Sequence, residues 1–397
     1  MQLKSSKQIH TKGFYFFLSA QFISALADNA LLFAAIAMLT RLDAPTWHQP
    51  LLLQFFVFAY IALAPFVGAF ADAKPKKQVM FISNGIKLIG CLAMLFGMPP
   101  LYAYGIVGIG AAAYSPAKYG ILTEILPTNS LVAGNGWVEG STVAAIILGA
   151  MFGGVLAVYD VELAIITISI LYVIAAIFNK YMPDVPTDHK LKKKDPWSLV
   201  KDFLSSYRKL WNDPLGQLSL TITTLFWGAG ATLRLVIIGW AAYALGYGLD
   251  KSTTLSATVA LGVAIGAIIA AFFIKMKDST KILPTGIVMG ALVCTMFFIT
   301  TWQSAAIILT LVGILSGLLI VPLNALLQHR GRLLIGAGHS IAVQNFNENL
   351  GILVLSGAYT LMVKSNIPIN GIMFIFGFFV LLSMTVASIY YAKANNN

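Results

Sequence analysis

Three bases and three acids stand inside long apolar runs of this sequence: Lys87, Lys118 and Arg234, and Asp28, Glu139 and Glu348. A charge at the centre of a membrane-spanning helix costs about 2.5–3.5 kcal/mol on insertion scales. Such groups persist where they pair, face water or hold a ligand. Their chemistry is simple: the bases suit a phosphate or carboxylate, the acids an ammonium or a proton. Asp28 is followed by Asn29 in ALADNALLFA, within an otherwise apolar stretch from 13 to 40. Its alternatives are helix packing or lining a cavity, and its depth favours the cavity. Arg234 lies past the middle of its run, in FWGAGATLRLV, where Gly228 and Gly230 are expected to loosen the helix. Snorkelling to the surface is the alternative for Arg234, and equally for Lys118, which lies in the inner third of its run. Glu348 stands in VQNFNENLG with Gln344, Asn345, Asn347 and Asn349, a stripe too polar to face lipid, and structural pairing is the alternative to a functional role there. Lys87 and Glu139 read as nearer a cytoplasmic end, and as structural.

The elements that must position these groups are membrane helices. The chain has 397 residues, of which 58% are hydrophobic and 10% charged. A soluble domain carries about 25% charged residues. Mean hydropathy is +0.82, and apolar runs of helix-spanning length recur, without the short alternating segments of a β-barrel. Cys91 and Cys294 both lie in apolar runs and suggest neither a disulfide framework nor a metal site. No metal or other cofactor is expected. Ala25-Leu26-Ala27 mimics a signal-peptide cleavage site, but cleavage there would leave an apolar tail of eleven residues, too short to span.

Hydropathy, punctuated by Gly, Pro and charge, predicts an all-α polytopic protein of twelve spans. The first six run 13–41, 51–72, 78–97, 101–123, 130–157 and 161–181. The second six run 215–245, 253–275, 282–301, 304–328, 336–362 and 367–392. This gives an N-terminal six-helix bundle (1–182), a basic linker (183–213) and a C-terminal six-helix bundle (214–397). With both termini cytoplasmic, the cytoplasmic segments hold 20 Lys and Arg, and the opposite side only Arg41, Lys251 and Lys364. That bias sets the orientation. It also accounts for the net charge of +11 without a nucleic-acid partner. The linker run HKLKKKD reads as a topology signal.

The two halves resemble each other. YSPAKYGIL and LIVPLNALL align Pro116 with Pro322, and each is followed by a Gly-rich connection and a helix bearing Glu139 or Glu348. Six spans on each side of a linker fit the parallel repeat of the major facilitator superfamily. GAFADAKPKK resembles that superfamily's cytoplasmic motif, with Gly68, Asp72, Lys76 and Lys77 as its conformational or gating residues. Ala73 departs from its usual Arg. Asp72 is expected to cap the next helix or pair with a base. The second-half counterpart, IKMKDSTK, is degenerate. If the superfamily's cavity helices carry over, Asp28, Lys118 and Arg234 line a central cavity that suits a zwitterion, and Glu348 lies on an interface helix.

Six segments resemble the bacterial lysophospholipid transporter family: ADNALLFA, YIALAPFVGAFAD, VGIGAAAYSPAKYGIL, LFWGAGATLR, VPLNALLQHRG and GAGHSIAVQNFNENLG. They cover both halves. The resemblance implies transport of lysophosphatidylethanolamine, with lysophosphatidylglycerol and lysocardiolipin as further candidates, from the outer to the inner leaflet of the bacterial inner membrane. It implies a functional link to an acyltransferase/acyl-carrier-protein synthetase; since this sequence ends at Asn397 after the last span, that enzyme is expected on a separate chain. A monomer is expected. The family's substrate-binding positions carry over to Asp28, Asn29, Lys118, Arg234 and Glu348.

The rival reading is a proton-coupled drug or metabolite exporter. Its span 5 often carries Gly-Pro-x-x-Gly-Gly, and GAMFGG has Ala150 in place of the Pro. No acyltransferase, Walker, GxSxG or zinc motif points to catalysis. The acyl chain needs an apolar path, at about 0.8 kcal/mol per CH₂. Ala145, Gly149 and Gly153 on span 5, with Gly262 and Gly266 on span 8, are candidates either for a lateral slot or for close helix packing.

Overall fold

The computed structural model describes residues 11–44, 48–185, 195–246 and 249–396. Among them are thirteen α-helices. In the first half these are α1 (Lys12–Arg41), α2 (His48–Ala73), α3 (Lys76–Leu95), α4 (Pro100–Ile125), α5 (Leu131–Tyr159) and α6 (Val161–Lys180). Then come α7 (Pro196–Asn212), α8 (Pro214–Ala244), α9 (Leu249–Phe273), α10 (Leu283–Thr295), α11 (Trp302–Leu334), α12 (Ala337–Lys364) and α13 (Ile369–Asn396). Nine are long and apolar enough to cross a membrane, and the chain is a multi-pass membrane protein. Of the other expected spans, α4 and α12 are long but carry Lys118 and the polar stripe around Glu348. The ninth is short, ending as a 3₁₀ turn at Met296–Phe298.

Local chemistry sets the helix ends. The Thr11 hydroxyl accepts from Phe14 N–H at 3.3 Å to open α1. Asp160 accepts from Leu163 N–H at 2.9 Å to open α6, and Asp213 from Gly216 N–H at 2.9 Å to open α8. Each fills an otherwise orphaned donor. Pro116 and Pro322, the aligned prolines of the two halves, both lie inside helices, in α4 and α11. The linker's basic run at 190–194 lies outside the described residues. Beyond it, PWSLVKDFLSSYRKLWN forms α7, because Phe203, Ser206 and Leu210 recur at helical spacing and bury one face. Phe203 and Tyr207 meet the Phe346 ring edge-on, at 5.7 and 6.2 Å.

The chain clusters into two compact units. One comprises Met1–Ser130, Ala144–Leu210 and Gly331–Phe346; the other comprises Leu131–Val143, Trp211–Arg330 and Asn347–Asn397. In the first, α4 packs on α2 and α3, while α6 packs on α1 and α3, around Leu31, Met94, Val107, Ile168 and Tyr172. In the second, α13 packs on α8 and α10, around Trp240, Met296, Leu309 and Phe376. Large apolar side chains such as Phe96, Val158 and Phe273 point outward, the reverse of a soluble protein's surface and what hydrocarbon requires.

The glycine stripes resolve to packing. A Cβ on Gly149 would lie 2.6 Å from Leu26 O, and one on Gly153 would lie 2.4 Å from Ala30 O, both backbone atoms of α1. Gly262 and Gly266 would meet Thr310 O at 2.3 Å and Ile314 O at 2.1 Å in α11. These glycines let backbones touch. They leave no lateral slot at those positions.

Candidate functional site

Asp28 is the seventeenth of thirty residues in α1, and Ser24 lies one turn before it on the same face. Both of its carboxylate oxygens are engaged. Lys87 Nζ donates to Oδ2 at 2.7 Å, and the Tyr172 hydroxyl donates to Oδ1 at 2.7 Å. Lys87 also donates to Ser24 Oγ at 3.0 Å. The Ser24 hydroxyl in turn donates to Asn84 Oδ1 at 2.7 Å. The Lys87 ammonium stands 4.6 Å from the centre of the Tyr114 ring and 5.7 Å from that of Tyr172. The Lys87 side chain is 1% exposed, whereas that of Asp28 is 21% exposed.

This corrects the placement of Lys87. It is the twelfth of twenty residues in α3, past the midpoint rather than near an end. It is the direct partner of Asp28, joining α3 to α1. Sequence reasoning missed Lys87, Tyr172, Ser24 and Asn84 as one group. The legible signal was the helical spacing of Ser24 with Asp28 and of Asn84 with Lys87, each pair lying in an apolar run.

Asn29 is half-buried, and its amide donates back to Ala25 O at 2.8 Å within α1. Lys118 is half-buried in α4, its ammonium 4.6 Å from the Tyr119 ring. Asp28, Asn29 and Lys118 belong to the first unit; Arg234 and Glu348 belong to the second. Glu348 is buried, as are Gln344, Asn345 and Asn347 along the same helix, so the polar stripe of α12 avoids lipid as its composition requires. Asn345 Nδ2 donates to Ser115 Oγ at 2.9 Å. Arg234 differs from all of these. It is exposed on α8, and it forms no ion pair with a described residue. Nor is α8 loosened beside it. The helix is continuous, and Gly228 is a contact point whose Cβ would lie 2.9 Å from the Gly351 backbone of α12.

The Gly68–Lys77 motif forms a second centre. Asp72 accepts from the N–H of Gly338 at 2.6 Å and of His339 at 3.0 Å, in the first turn of α12. His339 Nδ1 lies 2.6 Å from Asp72 Oδ2. A helix N-terminus attracts a carboxylate through its free N–H groups and its dipole. Thus Asp72 does cap a helix, though a distant one, and it also pairs with a base: Lys76 Nζ is 3.2 Å from Asp72 and 3.2 Å from Glu124. Lys77 reaches Asp184 at 2.5 Å. Gly68 permits the approach, since a Cβ there would lie 2.9 Å from that of Ala342 and 3.0 Å from the His339 Cα.

The second unit holds its own polar contacts. Asn135 and Gln328 exchange hydrogen bonds at 2.9 and 2.7 Å between α5 and α11. Glu139 accepts from Asn324 at 3.2 Å. Arg330 grips Asp213 with two guanidinium nitrogens. Burial pushes the Asp213 carboxyl up, but the Arg330 and Gly216 hydrogen bonds outweigh it and hold the group below its ordinary value.

Comparison with known proteins gives one consistent picture. The major facilitator superfamily matches residues 17–356. The chain is 42% identical to a protein named lysophospholipid transporter LplT from Yersinia enterocolitica, over 93% of this chain and 91% of that protein. It is likewise 42% identical to the protein of that name from Yersinia pestis strain Pestoides F, over 92% and 90%. Among solved structures, the superfamily transporter FucP in its outward conformation superposes with a TM-score of 0.76 at 13% identity, covering 96% of this chain and 99% of that one. A bacterial homologue of the iron transporter ferroportin, outward-facing, gives 0.74 at 14% identity, covering 96% and 99%. At such identities the likeness shows the fold alone.

Proposed function

Because the chain belongs to the lysophospholipid transporter family of the major facilitator superfamily, we propose that it carries lysophospholipids, chiefly lysophosphatidylethanolamine, from the outer to the inner leaflet of the bacterial inner membrane. Transport proceeds by alternating access through twelve spans with both termini cytoplasmic, and an acyltransferase/acyl-carrier-protein synthetase reacylates the product.

The observation that carries this reading is Arg234. A guanidinium in the body of a spanning helix, exposed and without an ion-pair partner among the described residues, cannot rest against hydrocarbon. It needs an anion or water, and a headgroup phosphate matches its planar fork with two parallel N–H···O bonds. Lys118 adds a second positive charge. The ammonium of the headgroup is taken by Asp28 or Glu348. Asp28 holds one internal donor on each oxygen and keeps lone pairs for a third. Gly68, Asp72, Lys76 and Lys77 serve as the gate: Gly68 and Asp72 meet the start of α12, Lys76 pairs with Asp72, and opening requires the contacts of Gly68 and Asp72 with α12 to break.

Uptake of labelled lysophosphatidylethanolamine into proteoliposomes by Arg234→Ala tests the reading. The expected result is uptake by the unaltered chain and loss of uptake in Arg234→Ala at normal protein levels. No uptake by the unaltered chain would refute the reading, and retained uptake in Arg234→Ala would mean that Arg234 merely snorkels. Orientation is tested separately by a cysteine at Ser198 in α7, which should resist impermeant thiol reagents in intact cells.

A further inference from the structure

We propose that Lys87 is a positioning residue of the transport site. Its buried ammonium keeps Asp28 ionised and aimed, so that Asp28 acts as a fixed acceptor and does not take up a proton during transport. This rests on the reading that Asp28 meets the substrate.

An ammonium has three donors. That of Lys87 gives one to Asp28 Oδ2 at 2.7 Å and one to Ser24 Oγ at 3.0 Å, and the cation stands 4.6 Å from the Tyr114 ring. That shell of carboxylate, hydroxyl and aromatic face is complete for a cation. Lys87 is almost fully enclosed, and Asp28 is its ion-pair partner among the described residues. Protonating Asp28 would leave that cation buried beside a neutral acid, which is strongly unfavourable. The Tyr172 hydroxyl donates to Oδ1, so a second donor fixes the carboxylate from its other oxygen. Among the described residues, Cys91 on α3 and Tyr104 and Tyr114 on α4 also lie within electrostatic reach, with Tyr60 of α2 beside Tyr104. They are thiols and phenols, neutral when protonated, and none replaces Lys87 as a cation.

Exposure divides the labour. Asp28 keeps a fifth of its side chain accessible, and Lys87 keeps almost none. A ligand can therefore reach the carboxylate and not the ammonium. Lys87 acts through Asp28.

The test uses the full chain in proteoliposomes, with lysophosphatidylethanolamine uptake measured from about pH 5 to about pH 8 and expressed relative to wild type. Lys87→Arg should keep a constant ratio across the range. Lys87→Met should lose uptake toward acid, with its ratio falling roughly tenfold for each unit of pH once the unpaired carboxyl takes up its proton. Asp28→Asn should be inactive throughout. The double variant Asp28→Asn/Lys87→Met should stay inactive even where its melting temperature matches wild type. A constant wild-type rate in Lys87→Met, or recovered uptake in the double variant, would overturn the proposal and leave the pair as packing. Asp28→Asn transporting like wild type would instead sink the placement of Asp28 in the substrate site. Should Lys87→Met fail to fold, infrared difference spectra of the wild type between acid and neutral pH decide the matter. A protonated-carboxyl band that Asp28→Asn removes would overturn the proposal, and its absence supports it.

Discussion

Asp28 and Arg234 are both charges set deep in spanning helices, and their surroundings are opposite. Asp28 is enclosed by donors from α3 and α6 and is neutralised by Lys87 within its own unit. Arg234 stands exposed on α8 with no ion-pair partner among the described residues. From sequence the two looked alike, as isolated charges in apolar runs. The difference teaches that an intramembrane charge can be compensated internally or left open, and that only the neighbouring helices tell which. On the proposed function, the compensated charge should contribute to stability as well as to transport. The open one should contribute to transport and little to stability.

The comparison breaks most readily at Lys87. Removing one partner of a buried pair leaves the other charge uncompensated, at a cost of about 3–5 kcal/mol. Lys87→Met should therefore lower the melting temperature more than Arg234→Ala, Asp72→Asn or Arg330→Leu, as read by thermal unfolding in detergent. Asp28→Leu combined with Lys87→Met should regain much of that loss, because a neutral pair needs no compensation. A double variant as unstable as the single would mean the pair is not what holds α1 to α3.

Arg234 should give the reverse pattern. Arg234→Ala is expected to abolish uptake while shifting stability by no more than about 0.5 kcal/mol, the range of exposed substitutions away from special features. Arg234→Lys should recover only part of the uptake, since an ammonium cannot make the two parallel bonds of a guanidinium. Full activity in the Lys variant would reduce Arg234 to a point charge.

Asp72 lies between these cases, paired like Asp28 but fully buried, where the Gly68–Lys77 motif meets the start of α12. Asp72→Asn keeps the shape and loses the charge that answers Lys76 and the helix N-terminus. A loss of about 1–3 kcal/mol is expected, together with a lower maximal rate of uptake and little change in apparent affinity. A change confined to affinity would place Asp72 in substrate binding and not in the gate.

Much of this was legible in the sequence. Most span boundaries fell within four residues of the helix ends because Pro, Gly and charge punctuate long apolar runs; the exceptions are the ends expected at 301 and 328, where the helices stop at Thr295 and Leu334. Asp72 was expected as a helix cap, and its partner was the unexpected part: Gly338 and His339 lie 266 and 267 residues away, beyond any local pattern. The Asp28–Lys87 pairing was hidden for the same reason, being 59 residues apart across two helices. The glycines of α5 and α9 were ambiguous because small residues serve packing and openings alike. Their contacts with α1 and α11 decided for packing. The helix α7 was missed because a short amphipathic pattern lay inside a segment read only for its charge.

The smallest effect is expected where the ion pair is neither deep nor open, at Asp213 and Arg330. Asp213 is the N-cap of α8 and takes both Gly216 N–H and the Arg330 guanidinium. Burial raises its pKa, but the Arg330 and Gly216 hydrogen bonds more than offset this, leaving it below the ordinary value of 3.8. A group whose folded pKa is depressed contributes stability that is present above the unfolded value and lost as pH falls through the folded one. Near neutral pH the contribution should thus be constant, and its loss should begin only below about pH 4. Arg330→Leu should remove part of it at neutral pH and flatten the acid limb of a plot of melting temperature against pH. Asp213→Asn should flatten the same limb, while its amide still offers an oxygen to the Gly216 N–H. If neither substitution changes that limb, the cap and not the ion pair supplies what Asp213 contributes, and Asp213→Ala should then lower the melting temperature equally at every pH.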